Sequence, residues 1–308
     1  MHATQLSVGV WVASPPIGDT LDSYARALGG RKMRPRSVVT YARSVRLFKT
    51  WLGADASVAD ITPASLGRYQ ASHAHLAAAT MSKRLSAMRS YCRWCLDAGL
   101  RNDDPTLKIS WPKKRKKLPR VLKTDELRQL EAILDRPPPV LDNRAGRIWR
   151  RNTRIVLLLL YAGLRRTEVS MATWEDVDLT EATLIVGEDA AKGGHERIVA
   201  LHPRVVRELE TTPPKARRGA LAGHPDGRCI SHKTIGHVFD RWLKDNGLTT
   251  SAHKLRHTCA TSMLKSGANI HEIQRQLGHA DIRTTEKYLH LDSADQHAAV
   301  RKLPDRLA

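Results

Sequence analysis

The chain has 308 residues, enough for about two domains of ordinary size, and its 41% apolar content argues against a disordered chain. Lys and Arg number 51 against 31 Asp and Glu, a formal charge of +20, which points to a polyanionic partner, either nucleic acid or an anionic membrane surface. The longest apolar run, Ile155 to Leu164, is too short to span a membrane, the start MHATQLSVGVWVASPP has no cation before Arg26 and is a poor signal peptide, and four cysteines make no disulfide framework, so a reducing, cytoplasmic compartment is expected.

Residues 1–18 read as a tail, and residues 19–108 as an all-helical domain. A first helix is expected over Thr20 to Leu28. Ser37 to Leu52 places Val38, Tyr41, Val45, Phe48 and Leu52 on one helical stripe. Arg43, Arg46 and Lys49 fall off that stripe and are free to face phosphate. Thr62 and Pro63 form a capped helix start running to about His75. Thr80 to Ala98 is a further helix, ended by Gly99 and carrying Lys83 and Arg84 as two more candidates for DNA contact. Tyr41, Trp51, Tyr69, Tyr91 and Trp94 could stack on bases, but their helical spacing favours core packing. Cys92 and Cys95 stand alone as a CxxC without a second pair, inside a helical pattern, which favours buried packing over zinc.

The charge is uneven: residues 1–120 hold 21 Lys and Arg against 7 Asp and Glu, and the remainder 30 against 24. The shift falls in a linker over 109–119, where Lys113, Lys114, Arg115, Lys116 and Lys117 run between two prolines. Such a segment resists helix formation and suits tracking along a polyanion; a solvated hinge is the plainer alternative.

The second domain, 120–292, is mixed. Thr124 opens a helix to about Leu134, and a strongly apolar helix ends near Gly163. Thr183 to Val186 and Arg197 to Leu201 are two strands about a Lys192-Gly193-Gly194 turn. Helices follow over Lys233 to Asp245, Ala252 to Lys265 and Ile270 to Leu277, then one carrying Tyr288. An amphipathic segment over Ala294 to Leu303, within 293–308, is a candidate for docking on a neighbouring subunit. The fold class is therefore mainly α with a small β-sheet.

Several polar groups sit beside special backbone. Arg165 follows the most buried helix, where a cation is costly without an anion or carboxylate, and Glu168 lies three residues on. Lys192 sits at a glycine-rich hairpin tip. His253 and Arg256 share one side of a helix, and His279 follows Gly278 at a helix end. His253 and His257 are spaced to chelate a metal, but the residues between them are Lys254, Leu255 and Arg256, so no metal is expected. His257 is read as structural, with contact to phosphate as the lesser alternative, and His195 as exposed.

In order and spacing, Leu164-Arg165-Arg166-Thr167-Glu168, Ala191-Lys192-Gly193-Gly194-His195-Glu196-Arg197, His253-Lys254-Leu255-Arg256-His257-Thr258, Leu277-Gly278-His279 and Lys287-Tyr288-Leu289-His290 resemble the tyrosine recombinase (phage integrase) signature. The resemblance covers roughly residues 120–292, and the helical domain with its basic linker resembles the family's core-DNA-binding domain more loosely. It implies that Tyr288 attacks a DNA phosphorus to form a 3′-phosphotyrosyl link, with His253 as base or hydrogen-bonding partner. It implies that Arg165 and Arg256 clamp the non-bridging oxygens, Lys192 protonates the departing 5′ oxygen, His279 donates to the phosphate and Glu168 orients Arg165. Neither metal, cofactor nor ATP is implied. The partner implied is double-stranded DNA with a specific recombination site, bound by a dimer on one site and a tetramer on two, with exchange through a Holliday junction. Two other readings stay open: a type IB topoisomerase-like relaxing enzyme, and a DNA-binding relative that has lost catalysis. The turn reads Ala before Lys192 where the family often has Gly, and some 18 residues before the first helix are too few for a separate arm-binding domain.

Overall fold

The computed structural model describes residues 3–5, 11–113, 119–136, 143–188, 196–224 and 228–291. The chain divides into two compact units, one ending at Lys116 and the other beginning at Lys117. Helices dominate both, and each has its own core.

In the first unit, β1 (Ala3–Gln5) and β2 (Trp11–Ala13) pair antiparallel, with Ala3 opposite Ala13. This strand pair lies within 1–18, where the sequence marks no element. Helix α1 (Ile17–Gly30) is longer at both ends than expected. It starts straight after Pro16 because Ile17 is fully buried and its N–H bonds Ala56 O at 2.9 Å. Helix α2 (Pro35–Leu52) begins on a proline, whose missing N–H costs nothing there. Val45 and Phe48 are fully buried, while Val38, Tyr41 and Leu52 pack partly buried against the same core. Helix α3 (Pro63–Ser72) is capped by Thr62, whose hydroxyl accepts from Ser65 N at 3.0 Å. It stops short of His75, where the His73 ring meets Tyr69 O at 3.0 Å. Helix α4 (Ala78–Asp97) ends in a left-handed Gly99, with Leu100 N on Cys95 O at 2.8 Å and Gly99 N on Leu96 O at 3.0 Å. Tyr69, Tyr91, Cys92 and Cys95 are core residues, and burial pushes both thiols up to about 12.

In the second unit, α5 (Thr124–Leu134) precedes α6 (Arg144–Leu160), which Asn143 caps by accepting from Gly146 N at 2.9 Å. Every residue from Ile155 to Leu160 is buried, so this end of α6 is apolar all round and is packed by α8, α9 and α10. Helix α7 (Arg166–Met171) leads to a three-stranded antiparallel sheet in order β3 (Val177–Asp178), β4 (Thr183–Val186), β5 (Arg197–Ala200). Thr183 faces Ala200 and Val186 faces Arg197. The expected Lys192-Gly193-Gly194 turn lies outside the described residues. Helices α8 (Pro203–Glu210), α9 (His232–Asp245), α10 (Ala252–Lys265) and α11 (Ile270–Leu277) complete the helical set of this unit among the described residues. The segment with Tyr288 is a 3-10 turn over Glu286–Leu291 rather than an α-helix. The segment over 294–303 lies outside the described residues. Among the described residues, no helix is long and apolar enough to cross a membrane.

One glycine sets the path of the chain out of α6. Gly163 turns it at φ +66°, and a Cβ on it would stand 2.6 Å from Leu277 Cδ2 and 3.1 Å from Cys259 Sγ. Gly163→Ala is expected to destabilise the chain by about 1–3 kcal/mol, the cost of a left-handed non-glycine residue, with the clash adding to it. Urea unfolding checks this; an unchanged midpoint would show that the turn tolerates a side chain.

Candidate active site

The turn at Gly163 delivers Arg165 to the N-cap of α7, and Glu168 stands at the third helical position. Glu168 Oε2 accepts the Arg165 backbone N–H at 2.7 Å, closing the helix end. Glu168 Oε1 accepts from Arg165 Nη1 at 2.6 Å. Arg197, at the start of β5, grips the same carboxylate through both terminal nitrogens, at 3.1 and 2.9 Å. Arg256 from α10 brings Nη1 to 3.7 Å from Glu168 Oε2. Glu168 is 1% exposed, so three guanidinium groups converge on one buried carboxylate. Burial alone raises a carboxyl pKa. Here hydrogen bonds from Arg197 and the charge of Arg165 outweigh it and hold Glu168 below the usual range.

The guanidiniums are fixed by backbone as well. Arg256 donates to Gly163 O and Leu277 O, and Arg165 donates to Gly278 O at 2.8 Å. Arg197 Nε donates to Gln276 O at 3.3 Å. The Gln276 amide completes the frame by donating to Ala162 O and Ala200 O and accepting from Ala200 N. A left-handed Gly278 ends α11, and a Cβ there would lie 2.7 Å from Arg197 Nε. Burial, then the nearby Arg165, bring Arg256 down to about 10, so it remains a cation at neutral pH.

Around this cluster stand three imidazoles and a phenol. His279 Nδ1 lies 2.9 Å from the buried Thr285 hydroxyl. Burial, and then Arg256 and Arg165, push His279 down to about 3, so the ring is neutral. Tyr288 is 2% exposed and packs with Ala260, Leu264, Ile273 and Leu277. Burial raises its hydroxyl to about 12. Its Oη lies 2.6 Å from Nδ1 of His257. His257 is held down to about 4 by burial, then by His253 and Arg256. His253 is exposed on the first turn of α10, its ring centroid 4.1 Å from that of His257.

The structure therefore brings Arg165, Glu168, Arg256, His253, His279 and Tyr288 into one region. It corrects the pairing expected for the phenol: the partner is His257, read from the sequence as structural, and not His253. The reason is the helical rise. His253 sits on the outer turn, whereas His257 lies one turn further along α10, toward the Ala260 and Leu264 side chains that bury Tyr288. Lys192 and His195 lie outside the described residues. Arg197, Gln276 and Thr285 are participants that the sequence alone did not single out. Arg197 was legible as a cation entering a strand beside the glycine-rich turn, but nothing local marks its bond to a carboxylate 29 residues earlier.

The candidate DNA contacts divide. Arg43, Arg46, Lys83 and Lys113 are exposed, and Lys49 is half-buried. Arg84 is drawn onto Tyr69, donating to its Oη at 2.8 Å and lying over its ring. Lys114, Arg115, Lys116 and Lys117 lie outside the described residues. Tyr69 and Tyr91 are wholly buried and offer no stacking surface. Among the described residues, no three His, Cys, Asp or Glu side chains are grouped as metal ligands would be.

The depressed imidazoles set a pH dependence. Unfolded histidine titrates near 6.5, while His257 and His279 are held at about 4 and about 3 in the fold. The unfolded chain therefore binds more protons between these limits, so stability is full above about 6.5 and falls as the pH drops toward 4. Thermal unfolding at stepped pH is expected to show this slope, and His279→Gln to flatten part of it. A midpoint level across that window would contradict the buried, neutral rings.

The phage integrase family model matches residues 120–295, and the phage integrase N-terminal SAM-like domain matches residues 21–99. The chain is 32% identical to the tyrosine recombinase XerC of Lactobacillus delbrueckii subsp. bulgaricus over 237 residues, covering 73% of this chain and 76% of the relative. It is 33% identical to the tyrosine recombinase XerD of Pseudomonas aeruginosa over 235 residues, covering 72% and 75%. Its fold is similar to that of a lambda integrase tetramer bound to a Holliday junction, with a TM-score of 0.68 at 18% identity, covering 89% of this chain and 77% of that one.

Proposed function

Because the chain belongs to the phage integrase family, we propose that it is a site-specific DNA recombinase that cuts and rejoins strands through a 3′-phosphotyrosyl bond to Tyr288. The observation that carries this reading is the charge of the buried cluster. Arg165, Arg197 and Arg256 share the single carboxylate of Glu168, which leaves an uncompensated positive field suited to a phosphodiester. Guanidinium forks match the geometry of phosphate oxygens and stay charged.

In the mechanism, Tyr288 Oη attacks phosphorus, and the 5′ oxygen leaves as the O–P bond to tyrosine forms. Arg165 and Arg256 neutralise charge developing on the non-bridging oxygens. The neutral ring of His279 donates one hydrogen bond to the same phosphate, and the exposed His253 offers another. Lys192 supplies a proton to the departing oxygen. Glu168 touches no DNA; it positions Arg165 and Arg197. Because the tyrosyl ester conserves the phosphodiester bond energy, a 5′-hydroxyl from another strand can displace tyrosine without ATP or a metal.

The partner is duplex DNA carrying a specific site, held by a dimer on one site and a tetramer on two, in the cytoplasm. The basic first unit and the 113–117 cations supply phosphate contacts. Affinity is therefore expected to fall by about 10³-fold or more between roughly 50 and 200 mM salt, as for six or more released counterions. A nearly salt-independent affinity in a filter-binding titration would contradict this.

A nicked suicide duplex tests the chemistry. The native chain is expected to accumulate a covalent protein–DNA adduct and Tyr288→Phe none; absence of adduct with the native chain would leave only a DNA-binding relative. Relaxation of supercoiled DNA without regard to sequence, and without exchange between paired sites, would instead favour a topoisomerase.

A further inference from the structure

Resting on the recombinase reading, we propose that His257 is the proton acceptor for the Tyr288 nucleophile, holding the phenol by its hydroxyl and taking that proton as the oxygen attacks phosphorus. The geometry is direct. Among the described residues, Nδ1 of His257 is the hydrogen-bond partner of Tyr288 Oη, at 2.6 Å. A phenol buried to 2% exposure must donate its O–H to some acceptor, because an orphaned buried donor is costly. The O–H therefore donates to Nδ1, which fixes the imidazole proton on Nε2 and leaves the acceptor lone pair on the reacting group.

The surroundings keep that lone pair available. On its own helix, His257 is flanked by His253, with ring centroids 4.1 Å apart, and by Arg256; the turn carrying Tyr288 adds Lys287. Burial first, and then these neighbours, disfavour an imidazolium, so His257 rests neutral down to a pH of about 4. The imidazolium becomes favourable only when the scissile phosphate arrives with its negative charge. Then the phenol proton moves to Nδ1, the bond from Tyr288 Oη to phosphorus forms, and the bond from phosphorus to the 5′ oxygen breaks, that oxygen taking up the proton that Lys192 supplies. In rejoining, the 5′-hydroxyl returns that proton as it attacks, the tyrosyl oxygen leaves and its own proton returns from Nδ1. No other reactant is consumed.

The test uses the full chain and two DNA substrates. One is the nicked suicide duplex, which reports attack by Tyr288. The other carries a 3′-p-nitrophenyl phosphate, whose displacement by a 5′-hydroxyl needs the phosphate clamp but neither the tyrosine nor its proton acceptor. His257→Gln retains a hydrogen-bond acceptor and cannot take a proton. It is expected to slow adduct formation by about 10²-fold or more, the range of general-base removal, while releasing nitrophenolate at the native rate. His257→Ala should follow the same pattern. Adduct formation at the native rate, or faster because the contact merely parks the tyrosine, would overturn the assignment. A parallel loss with both substrates would also overturn it, making His257 structural. If the native chain forms no adduct yet releases nitrophenolate, the tyrosyl chemistry itself is wrong, and that result is distinct from a defect confined to the variants.

Discussion

Glu168→Ala is expected to destabilise the second unit by about 3–5 kcal/mol, the cost of stripping the counter-charge from a buried ion cluster. Three guanidiniums depend on this carboxylate, at 2.6 Å for Arg165, 2.9 Å for Arg197 and 3.7 Å for Arg256. Arg256 is 4% exposed and cannot regain its hydration without opening the core. The substitution also removes the acceptor for the Arg165 N–H at the start of α7. Glu168→Gln keeps the shape and one acceptor oxygen but not the charge, so it should fall between. The sign with pH follows from the lowered carboxyl pKa: the contribution is present above the ordinary value of 4.5 and lost as the pH drops through the folded one. Urea titrations of native and variant chains at neutral pH measure the effect. A loss under about 1 kcal/mol, the range of exposed pairs, would mean that the cluster is hydrated rather than buried.

The same carboxylate shows how far local pattern carries. Glu168 and Arg165 are three residues apart on one helical turn, and that spacing alone foretells their pairing. Several helix boundaries were legible for a similar reason: α2 and α11 have clean apolar stripes, and Gly99 and Gly278 mark the ends of α4 and α11 by left-handed backbone. The pairing of β1 with β2 was not legible, because two three-residue strands give too short a run for alternation to stand out. Helix α8 was missed despite Pro203 at its start, since it comes directly after a strand and spans only two turns. The partner of Tyr288 was not legible either. His253 and His257 are equally placed on one face of α10, and only the packing of the Glu286–Leu291 turn against Ala260 and Leu264 chooses between them. Likewise Arg197, Gln276 and Thr285 act through contacts to residues from 6 to 114 positions away, or to backbone carbonyls, which leave no mark in a local pattern.

Arg256→Lys is expected to lower the rate of adduct formation by about 10²–10³, equivalent to about 2.7–4 kcal/mol of transition-state stabilisation. The charge survives this change, so an effect of that size must come from geometry. The guanidinium already spends Nη1 on Gly163 O and Nη2 on Leu277 O, which locks its plane beside Arg165 before DNA arrives. A lysine ammonium is a single point of charge on a flexible stem; it can satisfy one of those carbonyls but cannot hold both and still present a fork to phosphate. Binding of uncleaved DNA should change far less, because the 51 Lys and Arg of the chain offer many other phosphate contacts. The variant should also melt closer to the native chain than Glu168→Ala does, since no buried carboxylate loses all its partners. Single-turnover cleavage of the suicide duplex, set beside equilibrium binding, separates the two quantities. A rate within a few-fold of native, or a loss that appears wholly as weaker binding, would place Arg256 in the scaffold and leave Arg165 as the guanidinium that clamps the phosphate.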